Sequence, residues 1–128
     1  MTEEPTIDTG PPSDTVCVEI PAQVRFVALV RVAAASLAAD LDPIIDDVED
    51  LRVAVNELVG LLVEASEAGT VTVHMWTDER TVHVVGRCSG AASRVAPDQL
   101  TERILEATVD RYEIHDGSFR VHKRLGAD

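Results

Sequence analysis

The sequence has few basic residues. Its 128 residues include 11 lysines and arginines against 23 aspartates and glutamates, so the formal net charge at pH 7 is −12. Such a chain is repelled by the phosphate backbone, whose neutralisation by Lys and Arg drives binding to DNA and RNA. We therefore expect no direct nucleic-acid binding. Complementary charge raises association rates, so the acidity favours a basic protein partner.

Cysteines and long apolar runs are also scarce. Cys17 and Cys88 are the only cysteines, and they match no metal-ligand spacing, which is typical of a reduced cytosolic protein without a cysteine-based metal site. No apolar run approaches the roughly 20 residues of a membrane helix, and residues 1–4 lack the basic region of a signal peptide. The composition predicts a cytoplasmic protein with no membrane segment.

The chain divides into a tail and one domain. Residues 1–14 combine Pro, Gly, Thr and acids without apolar periodicity, so we expect a disordered acidic tail. Residues 15–128 suit a single domain. Apolar alternation typical of strands and three-and-four spacing typical of helices follow one another in the order β, α, α, β, β, α, β, β. This order predicts a two-layer α+β sandwich, with a mostly antiparallel sheet, three helices on one face and the other face open.

Turn and cap signals set the boundaries of these elements. Asp42 and Pro43 suit an N-cap and first helical position, which predicts the start of the second helix there. Asp78-Glu79 is predicted as one hairpin turn and Asp116-Gly117, a strong hairpin signal, as the last. Pro97 and Asp98 should open the third helix.

The predicted open face of the sheet carries unusual side chains. A turn at Asp78-Glu79 would pair His74 with His83, and two imidazoles could bind a transition metal. Structural zinc takes four ligands, however, and no cysteine joins them. Trp76 and Val85 share this face, and an exposed apolar patch often marks a subunit interface. We therefore predict no metal site and a homodimer.

Residues 31–66, RVAAASLAADLDPIIDDVEDLRVAVNELVGLLVEAS, resemble the first two helices of the anti-sigma factor serine kinases, bacterial regulators in the ATPase superfamily of histidine kinases, gyrase and Hsp90. The Leu41-Asp42-Pro43 junction and the run LRVAVNE at residues 51–57 are the closest matches. The resemblance continues through residues 71–90 and resumes over 100–125. It implies a histidine-kinase-ATPase-like sandwich.

The resemblance also implies a site for ATP and Mg²⁺. In the family, a Glu on the second helix acts as the general base, and an Asn four residues later helps to hold Mg²⁺. Glu57 matches the base and is the candidate catalytic residue. Its alternative role is that of a solvated acid on an amphipathic helix. Leu61 stands at the Asn position and offers no oxygen ligand.

The next family motif, Asp-x-Gly-x-Gly, binds adenine at the end of the third strand. Residues 88–92 read CSGAA, so Cys88 replaces the Asp, and Gly90 is the candidate cofactor-binding residue. No glycine follows between Ala92 and Leu100, where the family has a lid and a phosphate-binding turn. We predict a degenerate member, a pseudokinase that uses neither ATP nor Mg²⁺.

Arg31 matches the first-helix arginine by which the family contacts a sigma factor and an anti-anti-sigma antagonist. We predict it to be a partner-binding residue with a guanidinium free to reach a carboxylate; its alternative is an ordinary surface arginine. The leading hypothesis is an anti-sigma-like regulator that acts by protein binding. The alternatives are an active serine/threonine kinase and a dimeric scaffold without a sigma partner.

Overall fold

The computed structural model describes residues 12–66, 68–89 and 96–126. The predicted tail lies almost wholly outside them, as does Gly90. The described elements follow the predicted order. The strands are β1 (Val16–Pro21), β2 (Thr70–Asp78), β3 (Thr81–Cys88), β4 (Arg111–His115) and β5 (Ser118–Arg124), and the helices are α1 (Val27–Ala39), α2 (Ile45–Ala65) and α3 (Gln99–Thr108).

The five strands form one sheet in the order β1-β2-β3-β5-β4, and every neighbouring pair is antiparallel. Successive side chains of a strand point to opposite faces, so one face of the sheet supplies buried residues such as Val73, Val84 and Val121. The three helices cover this face. The predicted two-layer α+β sandwich is thereby confirmed.

Helix α2 is the central element of the core. It packs against both α1 and α3 and lies over the middle of the sheet. Apolar residues recur along it at helical spacing, and burying each Leu or Val contributes roughly 1.5–3 kcal/mol. Its fully buried side chains are Leu51, Ala54, Val55, Leu58, Val59 and Leu62. Among the described residues, no helix has the length and apolar character needed to cross a membrane.

The junction between α1 and α2 differs from the prediction. Asp42 does not cap a helix: it adopts a left-handed backbone (φ 51°), and α2 begins only at Ile45, without a side-chain cap. The junction is instead fixed by Arg80, whose guanidinium donates to the carbonyl oxygens of Leu41 (2.8 Å), Leu125 (3.0 Å) and Gly126 (2.9 Å). A distant side chain therefore holds the junction by donating to carbonyl oxygens, and the N-terminus of α2 has no side-chain cap.

The β2–β3 turn lies one residue later than predicted. Asp78 pairs with Thr81, so the turn residues are Glu79 and Arg80, with Glu79 in a left-handed conformation (φ 57°). The shift changes every cross-strand pair of the hairpin. By contrast, the last hairpin turns at Asp116-Gly117 as predicted, with Gly117 at φ 81°.

A buried lysine ties the start of α2 to the sheet. Lys123 of β5 points towards the helices, where its Nζ lies 3.6 Å from carboxylate oxygens of both Asp47 and Asp50. Asp47 also accepts a 2.6 Å hydrogen bond from the Gly126 backbone N–H. Two carboxylates thus compensate the desolvation of the lysine charge.

Candidate functional site

Arg31 lies on the flank of α1 that faces α2. Its Nη1 donates a 3.0 Å hydrogen bond to Oδ1 of Asn56 on α2. The sequence predicts a free guanidinium at this position, but in the structure the group is partly fixed by this bond. Its Nε is buried and has no hydrogen-bond partner in the described part of the chain. The group retains unused donors. The Asn56 contact holds it in one orientation at the groove between the two helices.

Exposed apolar side chains lie on the same two helices as this pair. Leu29 and Val32 lie one turn apart on α1 and are 57% and 54% exposed, and Val53, one turn before Asn56 on α2, is 42% exposed. Exposed apolar clusters of this kind often mark protein-binding surfaces. We call Leu29, Arg31, Val32, Val53 and Asn56 the α1–α2 surface. The sequence pointed to Arg31 alone, because Asn56 is brought to it only by helix packing.

Glu57, the candidate catalytic residue, lies on the other flank of α2. Its Oε1 accepts a 3.3 Å hydrogen bond from the Thr101 hydroxyl in the first turn of α3. Leu61, one turn further along α2, packs against the core. The carboxylate is therefore engaged by a neighbouring helix, and a side chain without a metal-binding oxygen lies beside it.

The N-terminus of α3 is occupied by a carboxylate of the chain itself. Asp98 is the N-cap, and its Oδ1 accepts a 2.8 Å hydrogen bond from the Thr101 backbone N–H. That bond is the main cause of a lowered pKa for Asp98. Helix N-termini attract anions through their free N–H groups and dipole. Here an internal anion already fills this position, and a phosphate would meet a like charge.

Cys88, at the position of the family's adenine-binding Asp, is half-buried against the core at the end of β3. Its Sγ lies 3.6 Å from the Gly117 carbonyl oxygen, to which its backbone N–H also donates (2.9 Å). The thiol thus points to the last hairpin. The structure brings together Glu57, Leu61 and Thr101. The position of Gly90 cannot be compared with theirs, because this glycine lies outside the described residues.

The histidines of the open sheet face are not paired as predicted. With the turn at Glu79-Arg80, His74 lies opposite Val85, and His83 lies opposite Trp76 on one side and His122 on the other. The predicted His74–His83 pair is therefore wrong. Within residues 12–66, 68–89 and 96–126, no group of three or more His, Cys, Asp or Glu side chains could hold a metal ion.

This arrangement defines the class of the protein as an antiparallel α+β sandwich with its helices on one face and its candidate site residues on α1, α2 and α3. No family model and no curated protein matches the sequence significantly. Twelve chains of solved structures match.

One such structure is described as the crystal structure of the RsbU and RsbW domains of Rv1364c from Mycobacterium tuberculosis. It matches with a TM-score of 0.70 and 20% sequence identity over 91% of this chain. The present chain spans 34% of the length of that chain. At 20% identity this match supports the resemblance drawn from the sequence at the level of the fold alone.

Proposed function

We propose that this chain is a regulatory protein of the anti-sigma kind, which binds a sigma factor or its anti-anti-sigma antagonist in the cytoplasm through the α1–α2 surface. The observation that carries this proposal is the 3.0 Å contact between Arg31 and Asn56 in the groove between two helices that also carry exposed apolar side chains. The shared fold with an RsbW-containing protein supports the choice of partner class.

The α1–α2 surface has the composition of a protein-binding site. Arg is enriched at interface hot spots because its planar, multi-donor group binds carboxylates with defined geometry. Holding Arg31 against Asn56 before binding reduces the entropy lost when a partner docks. Val32 and Val53 would supply apolar area on the two helices that carry this polar anchor.

We further propose that the protein acts by binding, without ATP turnover. Three features support this part: Leu61 at the metal-ligand position, the engagement of Glu57 by Thr101, and the occupation of the α3 N-terminus by Asp98. The active-kinase alternative would need Glu57 released from Thr101 and a metal ligand in place of Leu61. No observation favours it.

Affinity capture tests the proposal. The tagged chain, incubated with a lysate of its source bacterium, should retain a sigma factor or an antagonist that mass spectrometry identifies. Affinity of the purified pair should then fall about thirtyfold with Arg31→Ala, which corresponds to the loss of about 2 kcal/mol at a hot spot. Arg31→Lys should recover little, because an ammonium lacks the planar fork.

The matched control is Arg103→Ala, which removes an exposed arginine from α3, away from the α1–α2 surface. It should leave affinity unchanged. Circular dichroism on each variant separates loss of binding from loss of folding. The proposal is wrong if Arg31→Ala, folded, binds the captured partner as tightly as the unmodified chain.

A further inference from the structure

The open face of the sheet differs in charge from the rest of the molecule. Among the residues that the structure describes, four arginines lie there. The described acids of this face, Glu19, Glu113 and Asp78, lie on the edge strands or at a strand end. These four arginines are Arg87, Arg111, Arg120 and Arg124. They occupy positions of β3, β4 and β5 whose side chains point away from the helices. We call this surface the arginine face.

The helical side has the opposite character. Helices α2 and α3 together carry eight acids and only two arginines, Arg52 and Arg103. An acidic segment is therefore repelled by α2 and α3, whereas on the sheet it meets four arginines.

The four arginines of the arginine face lack side-chain partners within the described part of the chain, although Glu113 lies opposite Arg120 in the sheet register. No side-chain hydrogen bond or ion pair joins Arg87, Arg111, Arg120 or Arg124 to another described residue. Elsewhere, by contrast, Arg31, Arg52 and Arg80 each donate to a protein oxygen. A cluster of guanidinium groups without internal partners is available to carboxylates from outside.

Flat rings lie between these arginines. Trp76 stacks on His83 with ring centroids 5.2 Å apart, and His83 meets His122 edge-on at 4.5 Å. The Nε2 of His122 is buried and has no hydrogen-bond partner within the described ranges. The pKa of His83 is lowered first by burial and then by the nearby His122. The pKa of His122 is lowered first by burial and then by Arg120. Both rings are therefore neutral at pH 7. Neutral rings offer a surface on which another ring can stack.

From this combination, we propose that the arginine face binds an acidic peptide segment of a partner protein, whose carboxylates contact Arg87, Arg120 and Arg111 and whose apolar or aromatic side chain packs on Trp76 and His83. This site is separate from the α1–α2 surface. A polyanionic nucleic acid fits less well, because the whole chain carries a net charge of −12.

A second copy of the chain fits less well too. A symmetric dimer through this face would bring the unpaired arginines of both copies together, and like charges disfavour such an interface. The homodimer expected from His74, Trp76 and Val85 stays a prediction, and its test is included in the experiment below.

Trp76 is the sole tryptophan and reports directly on this surface. Its fluorescence should change when the full chain is titrated with a short peptide of glutamates around one central phenylalanine. The same peptide with glutamine in place of glutamate should bind at least about tenfold more weakly, and added salt should weaken the glutamate peptide. A parallel titration with oligo-dT of the same length measures whether a nucleic acid binds this surface.

Arg120→Glu should weaken the glutamate peptide at least about tenfold, whereas Arg103→Glu, the same charge reversal on α3, should leave binding within about twofold. If Arg120→Glu does not fold, Arg87→Glu, at an exposed position, takes its place. Three results would overturn the proposal: no fluorescence change up to millimolar peptide, tighter binding of oligo-dT than of the peptide, or a dimer by light scattering that Arg120→Glu dissociates.

Discussion

The hydroxyl of Thr101 donates a 3.3 Å hydrogen bond to the carboxylate of Glu57, across the contact between α3 and α2. The backbone N–H of the same Thr101 donates to Asp98. One residue thus connects the candidate base to the helix whose N-terminus binds phosphate in the family that the sequence resembles. In this chain, Thr101 thus joins α3 to α2 and takes part in the N-cap of α3.

Replacing Thr101 by Val keeps the shape of the side chain and removes its hydroxyl. We expect the free energy of unfolding to fall by about 1 kcal/mol, because the Glu57 carboxylate loses a donor in a half-buried site. Urea denaturation measures this change. A double-mutant cycle with Glu57→Gln should give a coupling energy above about 0.5 kcal/mol, whereas strict additivity would show that the contact contributes nothing.

The cap of α3 should make stability sensitive to acid. The pKa of Asp98 is lowered by its bond from the Thr101 N–H, so its contribution is complete above the ordinary Asp pKa of about 3.9 and is lost as pH falls through the lower folded value. Asp98→Ala should be less stable than the unmodified chain at neutral pH, and the difference should shrink below about pH 4. Asp98→Asn keeps a capping oxygen without the charge and is the control. A difference that persists unchanged in strong acid would contradict this origin.

Two glycines provide a matched pair. A Cβ on Gly60, inside α2, would meet no atom within 4 Å, whereas one on Gly86 would clash with the ring of Phe119 at Cε2. Gly60→Ala should raise stability by roughly 0.5–1 kcal/mol through helix propensity. Gly86→Ala should lower it by roughly 1–3 kcal/mol through overpacking. Thermal unfolding measures both, and equal effects of the two substitutions would refute the packing around Phe119.

The sequence predicted the order of elements and the last hairpin because their signals are local. Gly117 adopts its positive φ at little energetic cost, so the residue types at Asp116-Gly117 are enough to predict the turn. The sequence predicts the β2–β3 turn one residue too early, because Glu79 adopts a left-handed backbone that a glutamate does not favour. Arg80, the next residue, is anchored to Leu41 and Leu125, far along the chain.

The candidate site was predictable only in part, for the same reason. Glu57 and Arg31 could be named from the resemblance to the family, but their partners Thr101 and Asn56 are 44 and 25 residues away in sequence. The arginine face could not be predicted from the sequence, because its arginines lie on three strands and are brought together only by the register of the sheet. Patterns within a window of residues do not encode such contacts.

We infer that the elements which bind nucleotide in the family that the sequence resembles stabilise the fold in this chain. Isothermal titration of the purified chain with ATP and Mg²⁺ tests this most directly. We predict no binding heat up to millimolar nucleotide, and none for Leu61→Asn, because Asp98 still occupies the N-terminus of α3. A dissociation constant tighter than about 100 µM for the unmodified chain, roughly −5.5 kcal/mol, would contradict the account.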